Sequence, residues 1–372
     1  MSSNGQPKKL ALCDQHIALG GKMVDFAGYL MPVSYPKGII AEHHAVRNNV
    51  GVFDVSHMGE FEVTGPDALS WVNSMVTNDA EKLGLNQVMY SGLCYPDGGF
   101  VDDLLVYRLA DKVMLVVNAS NIKKDFAWLK AHVPATGVTF VDKSDDFTLL
   151  AVQGPRAGEL VQKLTNVDVK QIKYYWCQPG KIAGIDGIVS RTGYTGEYGF
   201  ELYFPVEHSL LVWNELWKYG KDFGLEPIGL GARDSLRLEM KLALYGHEID
   251  ADHNPIEAGL SWIVKLSKPN FYGRDSMLKA KLEGTPRFNV GFMVEGRAVP
   301  RPGMVIRCKD GETIGVVTSG TWSPTLDKGI GTGYVAMDDS PVGTEIQIVI
   351  RDRVVKATVV KTPFVVREQP KP

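Results

Sequence analysis

Apolar and polar positions along this chain fall into a short grammar that is used twice. Gly59-Glu-Phe-Glu-Val-Thr64 alternates as a half-buried strand. Gly65-Pro66 then opens a helix with Leu69, Val72 and Val76 on one side. Proline suits a first helical turn, because its missing N–H has no partner there anyway. The order returns at Phe147–Gln153, a strand, followed by Gly154-Pro155 and a helix carrying Leu160, Val161 and Leu164. This echo predicts two related α+β units. Between them, Val88–Tyr95 and Phe100–Leu109 read as a hairpin, and Lys112–Asn118 follows a turn at Ala110-Asp111. Gly187–Arg191 and Phe200–Phe204 are further strands, and Val206, Leu210, Trp213 and Trp217 predict an amphipathic helix that stops at Gly220. The first fifty residues read as loop and helix. Beyond about residue 280 the pattern changes to short β-rich runs at 288–295, 303–308, 313–319, 332–337, 345–350 and 353–361, broken by Gly/Pro turns. Six strands so spaced predict a separate small barrel or sandwich. The expected division is therefore 1–280 and 281–372.

Composition narrows the class without choosing a function. The 372 residues are 44% hydrophobic and 22% charged, ordinary for a globular protein. A net charge of −3 gives no global case for nucleic acid or membrane binding. No apolar run reaches the roughly 20 residues that span a bilayer. The first residues, Met1 to Lys9, precede no signal-type apolar core and are not Arg-rich, so the expected location is the cytoplasm. Cys13, Cys94, Cys177 and Cys308 form no CxxC pair, which suits a reducing compartment.

Candidate chemistry gathers at a few turns. In Tyr95-Pro-Asp-Gly-Gly-Phe-Val-Asp-Asp-Leu-Leu-Val-Tyr107 a strand restarts at Phe100 after dense turn residues. Strand alternation sends Asp102 and Asp103 to opposite faces, with Asp103, Leu105 and Tyr107 on one of them. Two carboxylates ending a hairpin is the plainer alternative. Gly193-Tyr-Thr-Gly-Glu-Tyr-Gly199 lacks the Lys-Ser/Thr of a P-loop and runs into a strand, so it reads as a tight turn with Glu197 at its tip. Gly229-Leu-Gly-Ala-Arg-Asp234 enters a helix on which Arg233 and Arg237 share a face, either as structural ion pairs or with an Arg free for a ligand carboxylate. His247, Asp250, Asp252 and His253 match no metal-ligand spacing, nor does His43-His44, so no metal is expected.

Taken together, Met23-Val-Asp-Phe-Ala-Gly-Tyr29, Gly51-Val-Phe-Asp-Val-Ser-His-Met-Gly59, Thr77-Asn-Asp79, Gly98-Gly-Phe-Val-Asp-Asp-Leu104, Arg191-Thr-Gly-Tyr-Thr-Gly-Glu197, Gly229-Leu-Gly-Ala-Arg-Asp234, Leu244-Tyr-Gly-His-Glu248 and Thr318-Ser-Gly-Thr-Trp-Ser-Pro-Thr-Leu326 resemble the glycine cleavage system T proteins, the aminomethyltransferases. The resemblance runs from about residue 8 to about 367. It implies an α+β fold of two interleaved α+β folate-binding units plus a C-terminal β-barrel. Departures are a Tyr29 where the family usually has Trp, and the spacing of Pro363-Phe-Val-Val-Arg367. Related folate proteins of iron–sulfur assembly carry a Cys in the later Gly-rich segment, which is absent here, and that favours the enzyme.

The implied activity is transfer of a methylene from an aminomethyl group, carried on the lipoyl arm of H protein, to tetrahydrofolate. The products are 5,10-methylenetetrahydrofolate, ammonia and the reduced lipoyl arm. By the same resemblance Asp103 is the catalytic carboxylate. Glu197 would bind the pterin N–H edge, Arg233 a folate carboxylate, and Asn118 polar pterin atoms. Met58, Tyr90, Tyr107, Tyr175, Tyr194 and Tyr245 would wall in the flat rings, and Arg367 is a further ligand contact. Tetrahydrofolate is expected as co-substrate, lipoylated H protein as partner, and a monomer as the working form. Between Trp262 and Asp310 ten basic residues face four acidic ones, which marks this stretch, with Arg287, Arg297 and Arg301, as a docking surface for an acidic carrier. The alternatives are a tetrahydrofolate-dependent demethylase of a small donor and a non-catalytic folate-binding maintenance protein.

Overall fold

The computed structural model describes residues 5–351 and 353–367. The two echoed units each build a sheet, the first antiparallel and the second antiparallel except for its parallel edge pair Val50–Asp54 and Leu225–Pro227. The first sheet has the strand order Val88–Cys94, Phe100–Arg108, Val113–Val117, Gly59–Thr64, Thr139–Asp142. The second runs Cys177–Ile182, Ile185–Ser190, Gly199–Pro205, Phe147–Gln153, Val50–Asp54, Leu225–Pro227. Val50–Asp54 precedes the whole first sheet in sequence yet pairs with Phe147–Gln153 in the second, so the units are interleaved. Its five residues are all buried, as a central strand requires.

The repeated Gly-Pro entry does the same job twice. Gly65 and Gly154 adopt φ of 112° and 135°, and a Cβ would stand 2.3 Å from the Gly137 carbonyl oxygen and 2.4 Å from that of Asn49. Only glycine both takes that conformation and lets the neighbouring chain approach so closely. Helices Ala68–Met75 and Ala157–Leu164 follow. The echo continues with a short 3₁₀ turn in each unit, Ala80–Lys82 and Val169–Gln171.

Two local expectations need correction. Residues 22–34 are a hairpin of Lys22–Phe26 and Tyr29–Ser34, where loop and helix were expected. Its turn is Ala27-Gly28, both left-handed at φ 54° and 82°, and alanine carries none of the usual signal for that conformation. The helix before Gly220 spans Ser209–Gly220 and buries Val212, Trp213 and Leu216, while Leu210 is half exposed. A 3₁₀ turn at Val206–His208 precedes it, and its tighter winding shifts the phase of the apolar stripe.

The C-terminal region closes a six-stranded barrel in the order Arg287–Val294, Lys328–Ala336, Thr313–Ser323, Val305–Cys308, Glu345–Ile350, Arg353–Val360. The choice between barrel and sandwich is thereby made. Phe292, Ile306, Ile346 and Ile348 fill its core. The helix Leu230–Glu239 joins the three parts, packing on Ile39–Asn48, on Tyr29–Ser34 and on the barrel strand Thr313–Ser323. No helix among the described residues is long and apolar enough to cross a membrane.

Candidate active site

The two sheets enclose a cavity of about 380 Å³ whose apolar walls include Phe53, Val55, Leu105, Val116, Leu149 and Ala151. Tyr175, Tyr194, Tyr203 and Trp262 add aromatic faces. An apolar slot with a few polar groups suits a flat heteroaromatic ligand. Trp262 is 55% exposed and stands 5.7 Å, ring to ring, from Tyr90.

Asp103 enters this cavity from the middle of Phe100–Arg108, and Asp102 on the same strand points away. Tyr90 Oη donates to Asp103 Oδ2 at 2.9 Å, and Asn118 Nδ2 donates to Asp103 Oδ1 at 2.7 Å. Tyr90 comes from the neighbouring strand and Asn118 directly follows Val113–Val117, so two rigid elements aim one carboxylate. Burial, and then the Asp102 charge, push Asp103 up to about 7. Asp103 can thus be a carboxylate acceptor near neutral pH and still exchange a proton.

A second carboxylate lines the cavity, and it is Glu201. It sits in Gly199–Pro205, opposite Ser190, and accepts from the Thr192 hydroxyl. Burial raises its pKa. Arg233 also lines the cavity, with its guanidinium 4.6 Å over the Tyr194 ring. No carboxylate lies within ion-pair distance of it among the described residues, so its donors are available to a ligand. Met58, Tyr90, Asn118, Tyr175 and Tyr194 all line the cavity as expected.

Four expected residues are placed elsewhere. Glu197 Oε1 is held by Arg47 Nη1 at 2.8 Å and Arg367 Nε at 2.6 Å, so it is spent on two cations outside the cavity. Arg367 is the other half of that pair and donates to the Arg47 carbonyl at 3.0 Å. Tyr107 is fully buried beneath the wall, with its hydroxyl 2.9 Å from that of Tyr203. Tyr245 has Lys124 Nζ 3.9 Å over its ring and its hydroxyl 3.4 Å from the Phe100 carbonyl. Sequence reading missed Glu201, Thr192, Tyr203, Lys241 and Trp262. Glu201 and Tyr203 were within reach, since alternation in Phe200–Phe204 puts a lone carboxylate and a phenol on one face. Lys241 offered no signal. It is a half-buried ammonium on the cavity wall, lowered by desolvation to about 8, and it sits at a left-handed φ of 52°.

The candidate metal residues have structural partners. His253 Nδ1 lies 2.6 Å from Asp250 and its ring stacks on Tyr334, while His247 contacts the Thr318 carbonyl at 3.1 Å. No cluster of three or more metal-ligating residues occurs among the described residues.

Comparison with known proteins follows this geometry. Residues 12–268 match the GCVT N-terminal domain, and residues 287–365 match the glycine cleavage T-protein C-terminal barrel domain. An aminomethyltransferase of Chloroherpeton thalassium is 51% identical over 94% of this chain and 96% of its own length. One from Desulforamulus reducens is 49% identical over 97% of this chain and 99% of its own. The crystal structure of glycine cleavage system aminomethyltransferase T from Bartonella henselae superposes with a TM-score of 0.90 at 35% identity, covering 96% of this chain and 98% of that one. With both domain matches in chain order and near full-length likeness, the chain belongs to the glycine cleavage T-protein family.

Proposed function

We propose that the cavity between the two sheets binds tetrahydrofolate with the reacting amine against Asp103. The chain is an aminomethyltransferase of the glycine cleavage system, and its substrate is folate. The reaction moves a methylene from an aminomethyl group to tetrahydrofolate, releasing ammonia and leaving the donor's sulfur as a free thiol. Its partner is the H protein, and we assign the donor to an aminomethyl group on that protein's lipoyl arm. A monomer suffices in this reading, because every proposed group comes from one chain.

The difficulty in the chemistry is that a folate amine must attack a methylene carbon while ammonia and the lipoyl thiolate leave. A carboxylate hydrogen-bonded to that amine raises its nucleophilicity and stabilises the positive charge that develops. Asp103 is the proposed carboxylate, with Tyr90 and Asn118 holding it in place. Its share is on the order of 10²–10⁴-fold, and positioning of the bound rings supplies the rest. Glu201 takes the role first expected of Glu197, accepting N–H groups of the pterin edge. Arg233, with no ion-pair partner among the described residues, meets a folate carboxylate. The single observation that carries this reading is Asp103, aimed into an apolar, aromatic-walled cavity by two fixed donors.

Titration calorimetry with tetrahydrofolate tests it. Binding should be measurable in the wild type and lost in Glu201→Gln, while Glu197→Gln keeps it. Equal loss in both variants, or no binding at millimolar ligand, contradicts the assignment. The reaction as proposed gives no task to a metal. Exhaustive chelation should therefore leave turnover unchanged, and activity restored by added divalent ion would refute that.

A further inference from the structure

Behind Asp103 lies a second pair of carboxyl groups that the mechanism above does not use. Asp102 is completely buried and collects three N–H donors: the backbone of Asn118 at 3.0 Å, Asn118 Nδ2 at 2.9 Å and Asn121 Nδ2 at 2.7 Å. Asp125, on the helix Ile122–Ala131, is also completely buried, and neither of its oxygens receives a hydrogen bond from any donor group among the described residues. An ionised carboxylate left so would be among the costliest groups a core can hold. Among the described residues the side chain set against Asp125 is the Asp102 carboxyl, which has no hydrogen to give while it is ionised. Two carboxyl groups in contact form a hydrogen bond only when a proton lies between them.

We propose that Asp125 is protonated and donates to Asp102, and that this singly charged pair positions Asn118 and thereby Asp103. The arrangement accounts for each atom. Asp102 keeps its negative charge and can accept from Asn118 and Asn121 while also accepting from Asp125. Asn118 then has one amide hydrogen on Asp102 and the other on Asp103, so its side chain cannot turn away. Burial and the neighbouring Asp102 charge both raise the pKa of Asp125, in the sense the assignment requires. Asp125 is a positioning residue here, since it touches no cavity atom.

The retained charge on Asp102 also acts on Asp103 directly, because a like charge nearby disfavours ionisation. Other groups facing the pair are Lys124 on the same helix as Asp125, and Tyr95 and Tyr245 from the elements packed against it. Lys124 tempers the charge without displacing the proton, since its nitrogen sits over the Tyr245 ring.

The inference rests on Asp103 being the reacting carboxylate, and its test separates the two. Turnover is followed against pH for the wild type, Asp102→Asn, Asp125→Asn and Asp125→Leu. Asparagine at 125 still donates to Asp102, so the acid limb should stay where the wild type has it. Leucine removes the donor. Asp102 then loses one of the donors that hold its charge and binds a proton more readily, so the limb should fall toward that of Asp102→Asn, where the charge is gone and a drop of about one pH unit is expected. An unshifted limb in folded Asp125→Leu, or a limb in Asp125→Asn that moves as far as in Asp102→Asn, overturns the proposal. Infrared difference spectroscopy gives a readout independent of activity and applies even if the leucine variant fails to fold. A protonated-carboxyl stretch should persist at pH 8 in the wild type and be missing from Asp125→Asn. No such difference overturns the shared proton. A wild type without any acid limb, but with that stretch, would instead refute the role given to Asp103.

Discussion

Asp103 and Asp102 are adjacent in sequence and opposite in role, and this follows from the period of a strand. One faces the cavity, where Tyr90 and Asn118 fix it, and the other faces the core. Asp103→Asn keeps the size and loses the charge, so turnover should fall on the order of 10²–10⁴-fold. Asp102→Asn should cost much less. A larger loss from Asp102→Asn, with both variants folded, would reverse the facing argument. The carboxylate is the working form, and burial with the Asp102 charge raises its pKa to about 7. The rate should therefore fall about tenfold per pH unit below that value and level off above it. A rate–pH profile flat down to pH 5 would contradict this. Turn chemistry located the strand start and alternation separated Asp103 from Asp102, but the choice between them came from the family resemblance. Glu197 could not be placed that way. Its distant partners, Arg47 and Arg367, are 150 and 170 residues away, and nothing local signals them.

At the scale of elements, the repeated strand, Gly-Pro and helix was legible because each glycine answers a local steric need. The hairpin at residues 22–34 was not, since its turn uses alanine where asparagine or glycine would announce it. Helix Leu230–Glu239 depends on contacts that only the tertiary structure creates. Its last residue, Glu239, takes Arg47 Nη2 at 2.7 Å and His43 Nε2 at 3.3 Å, with Ser323 from the barrel. Burial alone would raise this carboxylate, but the His43 bond and the Arg47 charge outweigh it and hold it near 2. A depressed carboxylate stabilises the fold above its unfolded value, and that contribution is lost as pH falls toward 2. Glu239→Gln leaves Arg47 buried without this partner and should destabilise the protein by about 3–5 kcal/mol. The denaturant midpoint measures it, and a loss under about 1 kcal/mol would show that the network relaxes.

Over the whole molecule, interleaving is what makes the site. Val50–Asp54 crosses into the second sheet, and the cavity walls then come from both units and from the segment after the barrel, where Thr362 and Pro363 reach the lining. Residue patterns showed the six C-terminal strands and the two units, but a crossing strand leaves no trace in periodicity. The basic stretch between Trp262 and Asp310 is also less of a free surface than its charge count implied. Lys268 is buried on the carbonyls of Asn73, Val76 and Asn78, and Arg287 is held by Glu257 and the Asp252 carbonyl. Lys265, three residues after Trp262 at the cavity mouth, and Lys281, on the helix Arg274–Glu283 beside it, remain exposed. Reversing both to Glu should raise the KM for H protein at low salt and flatten its salt dependence, with folate affinity unchanged. Unchanged transfer across a salt series would move the docking surface elsewhere. The central claim is that this cavity passes a methylene from the carrier to folate with Asp103 as the working carboxylate. The most direct measurement is formation of methylenetetrahydrofolate from tetrahydrofolate, with and without aminomethyl-loaded H protein, for the wild type and Asp103→Asn. Product should require the loaded carrier and fall at least about a hundredfold in the variant. Product formed equally without the carrier, or equally by folded Asp103→Asn, would contradict the account.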